Sequence, residues 1–333
     1  MKINRVTQFV RRPASALWVL LGILVIHFAL IQATDTGRMR EENLLSRSIP
    51  SEVMEERIAA FRRDFDLDRP IYVRFGKWLG NLIQGDFGHS MTDPRPVSAI
   101  VGEALSRSLW LQVPTIILFF LVGIPLGIFM ASHHGGWIDR ILNSSLLGLY
   151  ALPTFWVATL LLIYGATDAG LGWFPLEGLS TVDGPALEGF AFIKDRSVHL
   201  FLPLLALALP GVTIIAQQTR SAMLETLSSD FVLTARAAGI SERDVIWRHS
   251  IRHAIYPAAT LLGLLIPQLV GGSVVVESIF NIGGMGNLLW QSAQTRDFPV
   301  LQTLIFLSAV LTLAGFVFSD YLASRLMRQA GAR

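Results

Sequence analysis

Six long apolar runs, rather than any catalytic motif, most constrain what this chain can fold into. A helical span needs about 20 largely apolar residues to cross roughly 30 Å of hydrocarbon. Runs of that kind fall at about Ala14–Ala33, Leu109–Ala131, Ser144–Gly165, Leu200–Gln218, Ala258–Phe280 and Val300–Leu322. Within a bilayer the backbone must satisfy its own donors and acceptors, so each run is expected to be a helix. The expected fold is an all-α integral membrane protein with six transmembrane helices. Composition agrees, since 52% of the residues are hydrophobic and 16% charged, against about a quarter charged in soluble chains. The first run follows Lys2, Arg5, Arg11 and Arg12. It is longer than a signal-peptide core and no small-x-small cleavage pattern follows it, so it reads as an anchor.

Basic residues in short connections set the expected orientation. The N-terminus, the 132–143 turn, the 219–257 connection and the tail together hold thirteen Lys or Arg. The 166–199 and 281–299 loops hold three. Both termini are therefore expected in the cytoplasm. Three regions follow: 1–33 as N-terminus and first span, 34–108 as a long extracytoplasmic segment, and 109–333 as the transmembrane core. In that core the 219–257 loop joins helices 4 and 5 on the cytoplasmic side. The net charge of +2 gives no reason to expect a nucleic-acid partner. Pro114, Pro125, Pro153, Pro203, Pro210, Pro257 and Pro267 lie in or beside the spans and are expected to bend them.

Enzymatic chemistry finds little support. There is no cysteine, which removes disulfides, thiolate metal sites and cysteine nucleophiles. The three lysines, Lys2, Lys77 and Lys194, follow no Gly-rich phosphate loop. No G-x-S-x-G or H-E-x-x-H appears, and no cofactor site is expected. His249 and His253 share a helical face at i, i+4 but lack a third ligand, so a surface role is expected rather than a metal site. His133 and His134 are expected to be solvated, and Asp320 to cap or pair near the inner end of the last span.

One polar stretch interrupts the apolar pattern: TARAAGISERDVIWRHSIRHAIYP, Thr234 to Pro257. Ser229–Ala238 suits a short helix, with Gly239 as its left-handed stop. Ser241 suits the N-cap of a second helix, with Asp244 three residues on, running to about Ile255 before Pro257 opens the next span. Ala235, Ala237, Ala238 and Gly239 offer a surface open to close approach. The arginines offer charge-assisted bonds to carboxylates. Physical reading alone leaves two uses open, docking of a partner protein or adsorption to anionic lipid headgroups.

Three segments, in order, carry a family resemblance. Thr234–Pro257 resembles the cytoplasmic coupling loop of binding-protein-dependent ABC import permeases of the dipeptide/oligopeptide/nickel type, through Ala235, Arg236, Ala237, Gly239, Ser241, Arg248, His249, Arg252, Ala254 and Pro257. Ala238 stands where that family usually has lysine, and His253 where it has asparagine. LDRPIYVRFGKWLGNLIQGDFGHS (Leu67–Ser90) resembles the family's outer segment ending in G-D-[LF]-G-x-S. GGSVVVESIFNIGGMGNLLWQSAQTRDFP resembles a third signature, with Gly283 where proline is common. The usual P-G-D after the first span and the D-P-R tail are not visible.

The resemblance implies a permease subunit of an ATP-driven importer in the bacterial inner membrane. It would pair with a homologous permease and receive short peptides or a related solute from an extracytoplasmic binding protein. It further implies that Ala235, Arg236, Ala237, Ala238, Gly239, Ser241, Arg248 and His249 transmit motion from two docked ATP-binding subunits. Glu277 is expected either to pair structurally and hold the Ile279–Leu288 loop or, with Gly283, Gly284 and Gly286, to line the translocation path or gate. The 34–108 segment, with its helix-like SEVMEERIAAFRRDF and aromatics Tyr72, Phe75, Trp78 and Phe87, is either a receiving surface or a packed cap. The rival class is a secondary transporter or channel whose basic loop only binds membrane lipid.

Overall fold

The computed structural model describes residues 18–30, 69–181 and 187–331, and these are helical apart from connecting turns. The SEVMEERIAAFRRDF stretch lies outside the described residues. The helices are α1 (Trp18–Leu30), α2 (Ile71–Ile83), α3 (Val97–Ser132), α4 (Trp137–Ala151), α5 (Thr154–Ala166), α6 (Gly189–Leu227) and α7 (Asp230–Ala237). They continue as α8 (Glu242–Asp244), α9 (Ile251–Leu265), α10 (Gln268–Gly271), α11 (Val274–Ile279), α12 (Met285–Thr295) and α13 (Phe298–Gly331). A π-helical segment, Val245–Ser250, joins α8 to α9. Two compact units are present. One holds the described residues up to Ile100 with Ser292–Ala309, the other Val101–Gln291 and the chain from Val310.

Among the described residues, α3, α6 and the Phe298–Leu322 part of α13 are each long and apolar enough to cross a membrane. A fourth candidate is the pair α4 and α5, whose axes meet at 93°. The break has a local cause: Leu152 is extended at φ −75°, ψ 132° because the ring of Pro153 disfavours helical geometry in the preceding residue. The prolines inside α3 and α6 do not interrupt those helices. The apolar run Ala258–Phe280, read above as one span, is divided. Helix α9 ends at Leu265, Pro267 starts the single turn of α10, and Gly272 turns left-handed at φ 60° before α11. Apolar content could not reveal that division, because it is uniform across it.

The second unit's core is built where α3 and α6 lie close together. A Cβ at Gly127 would strike the Ala216 carbonyl oxygen, and one at Gly123 would sit 2.8 Å from the Ile215 Cβ. Small residues that admit a facing backbone are the usual basis of helix association in lipid. Phe119, Ala208, Ile215 and Ala258 form one cluster at this contact, while Ile128, Ala131, Ala222, Met223 and Ala254 form another. In the first unit, Phe75 and Trp78 of α2 pack on Phe28 of α1 at 5.3 and 5.4 Å between ring centroids. Tyr72 of the same helix is exposed.

Candidate functional site

The Thr234–Pro257 stretch folds much as its local signals require. Helix α7 starts after Ser229 and ends at Ala238 in a Schellman closure. The Gly239 N–H donates to the Arg236 carbonyl at 2.9 Å, and the Ile240 N–H to that of Ala235 at 3.2 Å. Gly239 is left-handed at φ 79°, a conformation that costs an L-residue roughly 1–2 kcal/mol. Ser241 then caps the next helix, accepting from the Asp244 N–H at 3.3 Å and donating to the Asp244 carboxylate at 2.7 Å. The helix does not stop at Ile255. It continues through the π-helical segment and past Pro257 to Leu265. Val232 and Val245 are fully buried and hold the loop's base, while α7 packs on the π-helical segment.

Arg236 is already engaged inside this loop. Its Nε and Nη2 donate to the two Glu242 oxygens at 3.1 and 2.6 Å, a bidentate pair that ties the end of α7 to the start of α8. Ala237, Ala238, Gly239, Ser241 and Arg248 are exposed, Ala235 is half-buried, and His249 stands on the π-helical segment. The hydrogen bonds from Arg236 hold the Glu242 carboxyl below its ordinary range. A lowered carboxylate pKa adds stability that is complete above the ordinary range and is lost as pH falls through the lowered value. Because both side chains are substantially exposed, the contribution is about 0.2–1 kcal/mol. Glu242→Gln is therefore expected to change loop protection little, and only above that lowered value. Hydrogen exchange of α7 amides at neutral and acidic pH checks this.

A second cluster gathers around Glu277, which is fully buried. Its Oε1 accepts from Ser108 Oγ at 2.8 Å and the Ser273 N–H at 3.2 Å, and its Oε2 from the Asn287 N–H at 3.0 Å. Ser108 Oγ in turn accepts from the Met285 N–H at 2.7 Å. Glycines make room for the carboxylate. A Cβ at Gly272 would stand 2.5 Å from Oε1, and one at Gly284 2.7 Å from Oε2. At Gly286 a Cβ would stand 2.6 Å from the Val274 nitrogen, while Gly283 instead faces Arg107. Glu277, Gly284 and Gly286 thus converge, with Gly272, Ser108 and Asn287 added by the structure. Both carboxylate oxygens are occupied by protein donors.

The profile of the family described as "Binding-protein-dependent transport system inner membrane component" matches residues 123–328, more than half of the chain. The chain belongs to this family. It is a permease, a multi-pass component of the bacterial inner membrane. It is 36% identical over 94% of its length to the oligopeptide transport system permease protein AppB of Bacillus subtilis, covering 95% of that protein. The glutathione transport system permease protein GsiC of Escherichia coli strain K12 is 34% identical over 75% of the chain and 76% of its own length. Among solved structures, the inward-facing MetNI methionine ABC transporter aligns with 68% of this chain and 96% of its own. Its TM-score is 0.53 at 15% identity, a likeness of fold.

In this permease two further polar centres escaped the sequence reading. Asp297, nearly buried, accepts from the Met91 N–H at 3.1 Å, from Thr92 Oγ1 at 2.9 Å and from Ser90 Oγ. Ser90 closes the GDFGHS stretch and Asp297 belongs to RDFP, so two of the three motifs that carried the resemblance meet at one carboxylate. Asp139 of α4 binds Arg220 of α6 through both oxygens, at 2.8 and 2.7 Å, with His134 Nδ1 at 3.3 Å. Both pairs join residues far apart in the chain and leave no local signal. Asp297→Ala is expected to destabilise the protein by about 3 kcal/mol, because the Met91 and Thr92 N–H groups and the Ser90 and Thr92 hydroxyls lose a charged acceptor. A lowered melting temperature in detergent checks this, with Ser90→Ala giving a smaller shift.

Proposed function

We propose that this permease forms half of the translocation path of an ATP-driven importer of short peptides or a related small solute. Six spans, with both termini cytoplasmic, place the loop between α6 and α9 inside the cell and the 34–108 segment outside. A second homologous permease completes the path, two ATP-binding subunits dock on the Thr234–Pro257 loop, and a binding protein delivers solute. The observation that carries the reading is the 36% identity to an oligopeptide permease along nearly the full length of both chains.

The build of the loop supports an alternating-access mechanism. The Schellman closure, the Arg236–Glu242 pair and the buried Val232 and Val245 make it a stiff element continuous with α9. A displacement of α7 by closing ATPase subunits therefore reaches α9 without being absorbed in slack chain. ATP must bind the two states unequally, since equal affinity shifts nothing. Glu277, Gly283, Gly284 and Gly286 act here by shaping the gate rather than by touching cargo.

Affinity purification of a tagged copy from its native membranes, followed by mass spectrometry, tests the assembly. Stoichiometric recovery of a second permease with P-loop ATPases is expected. An isolated chain that transports solute in sealed vesicles without ATP would instead support a secondary transporter or channel.

A further inference from the structure

We infer that Arg107 and Arg196, walled by Trp110 and Phe192, form a carboxylate-recognition site for the transported solute. The inference rests on the importer reading and deepens it, because it names a chemical group the cargo must carry.

The four residues come from two helices. Arg107 and Trp110 lie near the start of α3, Phe192 and Arg196 near the start of α6. The Arg196 guanidinium carbon stands 5.0 Å from the Phe192 ring centroid and 5.8 Å from that of Trp110. The two rings meet edge to face at 5.8 Å. Cation–π contact of this kind holds a guanidinium against the rings while its outer nitrogens can still take a bidentate partner. Arg107 is exposed, its Nη1 lies over Gly283, and it stands one helical turn before Trp110, whose ring faces Arg196.

Among the described residues no carboxylate forms an ion pair with either arginine, although the Asp195 charge attracts Arg196 from further away. Asp195, adjacent in sequence, is taken by Thr181, through Oγ1 at 2.7 Å and its N–H at 3.2 Å, and faces His199 at 3.5 Å. Glu277 is enclosed by its own donors. The Arg196 Nε is buried without a hydrogen-bond acceptor. Two cations on facing helices, one partly buried and only partly offset by Asp195, favour an anion between their outer nitrogens. A planar carboxylate matches the guanidinium fork. The pair also adjoins the Glu277 cage, since Arg107 precedes Ser108 in α3 and lies over Gly283. Anion binding there is therefore placed to act on the segment proposed to form the gate.

The test uses the purified full-length permease in nanodiscs of phosphatidylcholine, which bears no net charge, and saturation-transfer NMR. The probes are N-acetyl-trialanine and its C-terminal amide, which differ only in the carboxylate. Expected is transfer to the acid and not to the amide, with binding roughly tenfold weaker in Arg196→Gln or Arg107→Gln, the loss of one charged hydrogen-bond partner. Arg196→Lys, which keeps charge but not the planar fork, is expected to fall between. Equal transfer to acid and amide by the wild-type protein would overturn the assignment, even where a variant failed to insert. So would retention of an anionic lipid at this pair in native mass spectrometry, lost in Arg196→Gln, with no acid-specific transfer. Either failure leaves ATP-dependent uptake by the copurified assembly untouched, so it is distinguishable from failure of the importer reading.

Discussion

Glu277→Ala is expected to be the most damaging single substitution in the second unit, costing about 3–5 kcal/mol as for removal of one partner in a buried charged network. Ser108 Oγ and the Ser273 and Asn287 N–H groups all donate to this carboxylate. Alanine leaves them buried without an acceptor and opens a void between glycines that have no side chains to fill it. Glu277→Gln separates charge from shape. Backbone N–H donors face both oxygens, so the glutamine NH2 meets a donor in either orientation. A cost of about 1–3 kcal/mol follows, smaller than for alanine but not negligible. Thermal unfolding of both variants in one detergent measures the order. Wild-type stability in Glu277→Ala would mean that the glycine cage holds its shape without the carboxylate.

Gly239→Pro is expected to abolish transport while leaving the chain inserted. Proline fixes φ near −65°, whereas Gly239 sits at +79°. It also removes the N–H that closes α7 on the Arg236 carbonyl. No other atom lies within 4 Å of a Cβ at this position, so Gly239→Ala carries only the conformational penalty of about 1–2 kcal/mol. The two variants therefore separate a modest conformational penalty from loss of the left-handed turn and its N–H bond: alanine should retain a substantial fraction of uptake and proline almost none. Uptake assays on membranes with matched permease levels decide. Normal uptake by Gly239→Pro would remove the loop from the transport mechanism.

The loop was the most legible part of the chain because its signals are local. Gly239 as a helix stop and Ser241 as a cap act through neighbours within five residues, and the structure places both in those roles. Its continuation past Pro257 was not legible, since a proline preceded by a basic helix reads equally as a boundary. The division of Ala258–Phe280 was hidden for a different reason. Pro267 and Gly272 stood within a run whose apolarity suits one unbroken span. The cage around Glu277 was half legible. Gly284 and Gly286 belong to a local glycine cluster, but Ser108 is 169 positions away. The same holds for Ser90 and Asp297, 207 positions apart, whose motifs were each visible but whose meeting was not.

In the proposed importer, ATP-driven motion enters the permease through the Thr234–Pro257 loop. The chain contains no cysteine, so Ala238→Cys introduces its sole thiol, at an exposed site beside the Schellman glycine. Labelling that thiol with a photoactivatable maleimide in native membranes, then irradiating and sequencing the adduct, tests the claim directly. The predicted result is a crosslink to a P-loop ATPase subunit whose yield changes when ATP is trapped by vanadate. A label that reaches only lipid, with or without nucleotide, would contradict it and leave the basic loop as a membrane anchor.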